Sequence, residues 1–379
     1  MSALTGLRVV ELARILAGPW IGQTLADLGA EVIKVESPEG DDTRRWGPPF
    51  IDADGESAAA YFHACNRGKR SIVADFSIER GREIVRRLAQ RADVLIENFK
   101  VGGLKKFGLD YDGLGALNPR LIYCSVTGFG QTGPYAERGG YDFLIQGMSG
   151  YMDITGDPNG EPQKVGVAVS DLFTGLYGVI AIEAALIARE KTGRGQRIDL
   201  ALLDTMGAML GNQAMNYLAS GVAPRRMGNA HPNIAPYQTF PVADGHVIVA
   251  VGNDAQFGRL CAALGIEALA ADERFAVNPA RVANRLALER ELAARTKLRR
   301  RDELIAALDQ AMVPAGPINT VADLFADPQF VGRGMRIAPE GVPGVRSPIV
   351  MSDSALALDR RAPKLDEHGP EILREIGLN

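Results

Sequence analysis

The stretch G-V-A-V-S-D-L-F-T-G-L-Y-G-V-I-A-I-E-A-A-L-I-A-R-E-K-T-G-R-G-Q, residues 166–196, sets one carboxylate, Asp171, where a short extended apolar segment runs into a long apolar helix. Between Leu172 and Ala188 the only charged side chain is Glu183, so this helix is expected to be buried nearly all round. Gly175 and Gly178 carry no side chain, and such positions let another backbone or a ligand approach closely. A carboxylate at the mouth of such a helix faces free N–H groups and the positive end of the dipole. That environment is expected to keep it ionised at neutral pH, as a carboxylate nucleophile requires. The same position suits a plain N-cap, for which Asp is a favoured residue. On this segment alone both readings stand.

Working outward, the first third of the chain alternates in a βα rhythm. The pattern predicts strands at 7–12, 31–36, 70–75, 93–98 and 121–127, with helices at 21–28 and 79–91. Strands alternating with helices of this length imply an α/β fold, a doubly wound parallel Rossmann-like sheet with helices on both faces. In such sheets ligands bind beyond the carboxyl ends of the strands. The loops at 16–19, 98–102 and 128–141 are therefore expected to converge on one cleft. Residues 198–220 read as a further helical region, and the Gly- and Pro-rich run at 221–236 reads as a domain boundary. A hairpin at 237–251 and helices near 255–264, 282–295 and 302–311 follow, and a last helix is expected at 367–376. The organisation read from this is a large α/β domain over 1–220, a smaller α+β domain over 225–330, and a tail over 335–379 that returns to the first.

A chain of 379 residues with 46% hydrophobic and 23% charged residues has the composition of a folded soluble protein larger than one core. Its net charge of −4 argues against nucleic acid or an anionic membrane as partner. Cys65, Cys124 and Cys261 are widely spaced, which points to a reducing compartment without a disulfide framework or a zinc site. The N-terminus has no signal-peptide pattern, and the longest apolar run, 172–188, reads as short for a membrane span. A cytoplasmic location is expected.

Several familiar motifs are absent or misleading. G-F-G-Q-T-G at 128–133 matches G-x-G-x-x-G, but Pro134 follows at once and the segment lies late in the sheet, so it reads as a plain glycine-rich loop. No phosphate-cradling G-x-x-x-x-G-K-[ST] and no G-x-S-x-G elbow occur. The histidines His63, His231, His246 and His368 show no metal-ligand spacing, so no metal is expected. Arg44, Arg45, Arg67, Lys69, Arg70, Lys100, Lys105 and Lys106 lie near the expected strand ends. They form either a phosphate-binding surface or an ordinary solvated face.

Taken together, the segments V-V-E-L-A-R-I-L-A-G-P (9–19), L-A-D-L-G-A-E-V-I-K-V-E (25–36), G-D-D-T-R-R-W-G-P-P-F (40–50), N-R-G-K-R-S-I (66–72), D-V-L-I-E-N-F (93–99), G-Y-D-F (140–143), V-S-D-L-F-T-G-L-Y (169–177) and K-T-G-R-G-Q (191–196) resemble the class III coenzyme A transferases. The likeness runs in order along essentially the whole chain. It is closest to the branch that moves CoA between dicarboxylic acids, the succinyl-CoA:glutarate type, with which the A-H-x-x-I-x-P-Y-Q loop at 230–238 is shared. The resemblance implies a catalytic carboxylate at Asp171 and acyl-CoA as substrate, with no tightly bound cofactor. It implies CoA contacts at Leu16, Ala17, Ala74, Asp75, Phe76, Ser77, Asn98, Phe99, Lys100, Lys106 and Tyr141. Lys106 stands where the family often has arginine, and Ser37 where some members have a basic residue. The family fold further implies a ring-shaped monomer, two of which interlock as a homodimer.

The implied chemistry passes through an acyl–aspartyl anhydride and an aspartyl-CoA thioester, since a covalent intermediate divides a hard exchange into easier steps. Backbone N–H groups around Gly228 and Asn229 are candidates to stabilise the oxyanions. Arg45, Asn229 and His231 are candidates to hold the second carboxylate of a dicarboxylic acid. One rival reading is an α-methylacyl-CoA racemase, whose family places a histidine in the segment that reads Gly140-Tyr141-Asp142 here. Two-sided proton transfer needs two acid/base groups, and Tyr141 supplies none at neutral pH. The other rival is a non-catalytic CoA-binding protein.

Overall fold

The computed structural model describes residues 1–378, which divide into two compact units. The first comprises 1–151, 164–221 and the described residues from 328 onward; the second comprises 152–163 and 222–327. Each has its own hydrophobic core.

The first unit is built on a six-stranded sheet of β1 (Arg8–Glu11), β2 (Glu31–Glu36), β3 (Arg70–Val73), β4 (Val94–Glu97), β5 (Ile122–Thr127) and β6 (Arg197–Ala201). All five pairings are parallel and the order is 3-2-1-4-5-6. That is the order of the doubly wound nucleotide-binding sheets, whose ligand crevice opens where the winding reverses, beside β1 and β4. Side chains alternate between the two buried faces. Val9, Val32, Val94 and Ile96 point to one, while Val10, Ile33 and Leu95 point to the other.

Helices α1 (Ala17–Asp27), α2 (Ala60–Asn66), α3 (Glu79–Arg91), α4 (Tyr111–Leu117), α5 (Asp142–Met148) and α6 (Val169–Thr192) complete this unit's frame. The face of Val9 and Ile96 packs against Ile21 and Leu25 of α1 and Val179 and Ile182 of α6. The opposite face packs against Ile84 and Leu88 of α3 and Ile372 of the final helix, Gly369–Glu375. The tail is locked to the sheet's edge strand, where Arg70 pairs with Glu375 at 2.8 Å and His368 N–H donates to Ser71 O.

Three expectations change. Residues 197–201 form the sixth strand rather than the start of a helix; helices at Leu202–Met209 and Asn212–Ser220 follow it. A two-stranded hairpin at Phe50–Ala53 and Glu56–Ala59 is an addition that alternation did not reveal. Helix α6 is not buried all round: Leu176, Tyr177, Ile180 and Ile187 are exposed. At 24 residues it is also long and apolar enough to cross a membrane, contrary to the reading of 172–188 as short.

The second unit carries an antiparallel sheet of Tyr237–Val242, Gly245–Ala250 and Ala315–Gly316, covered by helices at Asp254–Ala263, Arg285–Thr296 and Arg301–Gln310. Phe240, Phe257, Phe275 and Leu292 fill its core.

Candidate active site

Crossover helices run antiparallel to the strands they connect, so their N-termini gather at the carboxyl edge of the sheet, where the loops after β1 to β4 also emerge. A cleft of about 270 Å³ opens on this edge. Its wall is made by Leu12 to Arg14 after β1, Glu36 and Ser37 after β2, Ala74 to Ser77 after β3, and Phe99 after β4. Phe76 lies 6.1 Å from Phe99 and 6.2 Å from Phe107, ring to ring, giving the cleft an aromatic side. Lys106 Nζ stands 4.7 Å over the Phe107 ring with its charge exposed. Apolar walls with a cation at the rim suit a ligand that carries a flat ring and phosphates.

The remaining sequence candidates fall into four groups. Leu16 and Ala17 are buried, and Ala17 opens α1. Asn98 spends its amide on the β1–α1 loop, accepting from Arg14 N–H at 2.9 Å and donating to Arg14 O at 2.7 Å. Lys100 lines a separate cleft of about 260 Å³ with Glu97, Tyr123 and Arg197. Tyr141 is exposed at the N-cap of α5.

Most of the basic run is not a phosphate surface. Arg44 makes a two-pronged contact with Glu36 at 2.9 and 2.7 Å, and Arg67 does the same with Asp27 at 2.8 and 2.6 Å. Lys69 is buried against Glu11 at 2.8 Å, and Arg70 holds Glu31 and Glu375. A buried charge must be paired, and once paired it has no donor left for a ligand. Arg45 stays exposed but donates to Glu39 O at 2.9 Å and reaches Asp42 at 3.4 Å. Arg14, which the sequence reading passed over, is the exposed cation on the wall of the cleft, tied to Asp42 at 3.1 Å. Its signal was available in the sequence, a cation directly beyond the first strand.

Asp171 sits in the first turn of α6 but not at its cap. The N-cap position is Ala168, and Asp171 is the third helical residue. The capping role belongs to Asp142, whose Oδ1 accepts from Ser170 N–H at 2.9 Å and from Ser170 Oγ–H at 2.7 Å. Asp142 Oδ2 accepts from Gln146 Nε2 at 2.8 Å, and Gln146 Oε1 in turn accepts from Val165 N–H at 2.8 Å. Among the described residues no donor is hydrogen-bonded to the Asp171 carboxylate. Burial, then the Asp142 charge, push its pKa up to about 7. This corrects the expectation that helix amides hold it ionised: the preceding amide, that of Ser170, is already given to Asp142, and the following one, that of Leu172, to Ala168 O.

Gly175 and Gly178 admit α1. A Cβ on Gly175 would stand 2.9 Å from Trp20 Cδ1 and 3.1 Å from Ala17 O. The loop that lines the cleft thus ends on the helix that carries Asp171, one turn from it. From α2, the Tyr61 phenol is pushed up to about 12 by burial and then by Asp171, Cys65 and Asp142. The charges of both carboxylates thus act on Tyr61, a relation that periodicity could not reveal. Its ring is edge-on to Trp46 at 5.4 Å.

Gly228, Asn229 and His231 belong to the second unit. The Gly228 N–H donates to Gly156 O at 3.1 Å, so it is not a free oxyanion donor. Asn229 Nδ2 donates to Thr239 Oγ1 at 3.3 Å. His231 Nδ1 accepts from Asn233 N–H at 3.1 Å, and burial, then Arg285, lower its pKa. The glycine-rich segment 128–133 is a loop with no helix after it. Gly128 is there because its backbone crosses that of Gly140, whose Cα would lie 2.6 Å from a Cβ on Gly128.

A family model for CoA-transferase family III matches residues 4–369. A succinate–glutarate CoA-transferase of Agrobacterium fabrum is 58% identical to the chain, over 98% of it and 95% of the relative. A human succinyl-CoA:glutarate CoA-transferase is 40% identical, over 98% and 86%. The crystal structure of a CAIB/BAIF family protein from Brucella suis superposes with a TM-score of 0.90 at 69% identity, covering 99% of both chains. A match along nearly the whole chain, on a parallel sheet with an acidic residue heading its longest helix, leads to one conclusion: the chain belongs to the class III CoA-transferases and is an enzyme that transfers CoA.

Proposed function

We propose that this enzyme moves CoA from succinyl-CoA to a dicarboxylic acid such as glutarate, with Asp171 as covalent nucleophile. The observation that carries the proposal is Asp171 itself, a half-buried carboxylate with no hydrogen-bonded donor, poised near neutrality. An unbonded carboxylate keeps its lone pairs and its basicity, the two properties a nucleophile needs. The substrate class is supported by the two relatives named for succinate and glutarate.

An Asp171 oxygen attacks the thioester carbonyl of succinyl-CoA; the C–S bond breaks and CoA leaves as thiolate, giving a succinyl–aspartyl anhydride. The thiolate attacks the aspartyl carbonyl of that anhydride, releasing succinate and forming an aspartyl-CoA thioester. Glutarate attacks the same carbon, expels thiolate and forms a glutaryl–aspartyl anhydride. Thiolate then attacks the glutaryl carbonyl, yielding glutaryl-CoA and free Asp171. One thioester is exchanged for another, so the scheme calls for neither ATP nor a further cofactor. The cleft walled by Ala74 to Ser77, Phe99 and Phe107 would hold the CoA nucleotide, with Lys106 and Arg14 at its phosphates. Tyr61, on which the Asp171 and Asp142 charges act, and Trp46, which is edge-on to Tyr61, would bound the acyl group.

The enzyme acts as a homodimer in this reading, the two chains interlocked rings. The exposed apolar side chains of α6 support the homodimer, because a stable monomer rarely leaves such a stripe in water. Light scattering should give twice the chain mass, and an active monomer would sink the assignment. Three buried, unpaired cysteines are in keeping with a cytoplasmic location. The test of substrate and mechanism is direct. Succinyl-CoA with glutarate should yield glutaryl-CoA by mass spectrometry, and hydroxylamine added after succinyl-CoA should convert Asp171 to a hydroxamate. Equal turnover of butyrate would overturn the dicarboxylate assignment; label elsewhere or nowhere would overturn the nucleophile.

A further inference from the structure

Asp142 does three things at one point in the fold. It takes both donors of Ser170, at 2.9 and 2.7 Å. It is bound through Gln146 Nε2, whose own Oε1 holds the chain just before α6 at Val165. It is also clamped from behind, because Gly140 crosses Gly128 too closely for either to carry a side chain. The short helix α5 and the first turn of α6 are thereby tied together through one carboxylate adjacent to the nucleophile, two residues beyond the point where the chain crosses the end of β5.

A carboxylate at the third position of a helix ordinarily turns back on the first turn and shares in capping it. Here that task has been removed from Asp171. We propose that Asp142 is a positioning residue for the transfer reaction: by capping α6 from a neighbouring helix it fixes the turn that carries Asp171 and leaves the Asp171 oxygens free of hydrogen bonds. The proposal rests on the reading of Asp171 as nucleophile. The titratable groups in electrostatic contact with Asp171 are Asp142 on α5 and Tyr61 on α2, while α1 presents the uncharged Ala17, Trp20 and Ile21 to the α6 glycines. Among the described residues Asp142 is therefore the charge of like sign acting on the nucleophile, and it reinforces the effect of burial.

The test compares Asp142→Asn, Asp142→Ala and Ser170→Ala by the pH dependence of kcat/KM for succinyl-CoA. Asparagine keeps an oxygen for Ser170 and removes the charge, so the acid limb should move down by about one pH unit, since like charge raises a carboxylate pKa. Ser170→Ala keeps both carboxylates and one of the two capping bonds, so its limb should stay where it is in the wild type. Asp142→Ala loses the cap and should lower kcat about 30-fold, a shift of about 2 kcal/mol, with the KM for succinyl-CoA changed less than threefold. A limb in Asp142→Asn that superimposes on the wild type, or an Asp142→Ala variant whose loss lies in KM, would overturn the proposal. Hydroxylamine labelling separates the two levels. Wild type without label at Asp171 refutes the nucleophile, whereas a labelled wild type with unmoved profiles refutes the role of Asp142 alone.

Discussion

Two aspartates at the carboxyl edge of the same sheet have opposite surroundings. Asp41 is buried and saturated. It accepts from Thr43 N–H at 3.0 Å, Thr43 Oγ at 2.8 Å and Ile15 N–H at 3.2 Å, and pairs with Lys34 at 2.9 Å. Burial pulls its pKa up, but Lys34 and the Thr43 amide outweigh that and hold it well below the usual carboxylate range. Asp171 has burial and a like charge and no donor, so its pKa is pushed up to about 7. The first aspartate belongs to a buried lattice in which Lys34 also reaches Glu11 and Ala13 O, and Lys69 reaches Glu11 and Pro19 O. That lattice pins the β1–α1 loop, where Ile15 holds a positive φ of 71° that a β-branched residue rarely adopts. A carboxylate given every partner builds structure, and one denied them keeps its lone pairs free.

The contrast can be broken most sharply at Asp171. Asp171→Asn should lower exchange at least about a thousandfold, roughly 4 kcal/mol of transition-state stabilisation, while CoA affinity and the fold persist. Turnover within tenfold of wild type would end the nucleophile reading. Asp41→Asn should act the other way round. Leaving Lys34 short of a counter-ion in the interior should cost about 3–5 kcal/mol in urea unfolding, and an unchanged midpoint would show the lattice to be dispensable.

The sign of the pH dependence of stability separates the two aspartates as well. Asp41 has a lowered native pKa, so its contribution is present at neutral pH and is lost as pH falls through the acid range. Asp171 has a raised one, so the native state holds its proton longer than the unfolded chain and stability declines as pH rises from 3.8 to about 7. Asp171→Asn should match the wild type below pH ~4 and exceed it by about 2 kcal/mol at pH ~8, the three-unit shift being halved for partial solvation. A variant less stable than wild type at pH ~8 would contradict the bare carboxylate. The smallest effect is expected at the cleft. Lys106→Ala should raise the KM for succinyl-CoA about three- to tenfold with kcat unchanged, less so at high salt, and an effect on kcat alone would place Lys106 outside the CoA site.

Local pattern carried much of this molecule. The helix at Glu79–Arg91 and the strand at Glu31–Glu36 fall where periodicity put them. Ala74 to Ser77 and Phe99 line the cleft because a parallel sheet exposes its loops at one edge. Where local signals were mixed, reading failed. R-I-D-L-A at 197–201 alternates like a strand but runs into an apolar helical segment, and only pairing with β5 decides its state. Residues 152–163 join the second unit although they lie far from it in sequence.

What the sequence determined by itself was the βα order, the two buried faces and the single carboxylate at the head of a long apolar helix. These depend on residue type and spacing over a few turns. Tertiary structure alone decided which charges are free. Arg70 meets Glu375 and Arg44 meets the Pro363 carbonyl, partners some 300 residues away, so their loss from a phosphate surface is invisible in the run of basic residues. The same holds for Asp171. Its lack of a hydrogen-bonded donor goes with Asp142 taking both bonds of Ser170, and hydrogen bonding in a dry interior is settled by which groups the fold brings within 3 Å, not by their place in the chain.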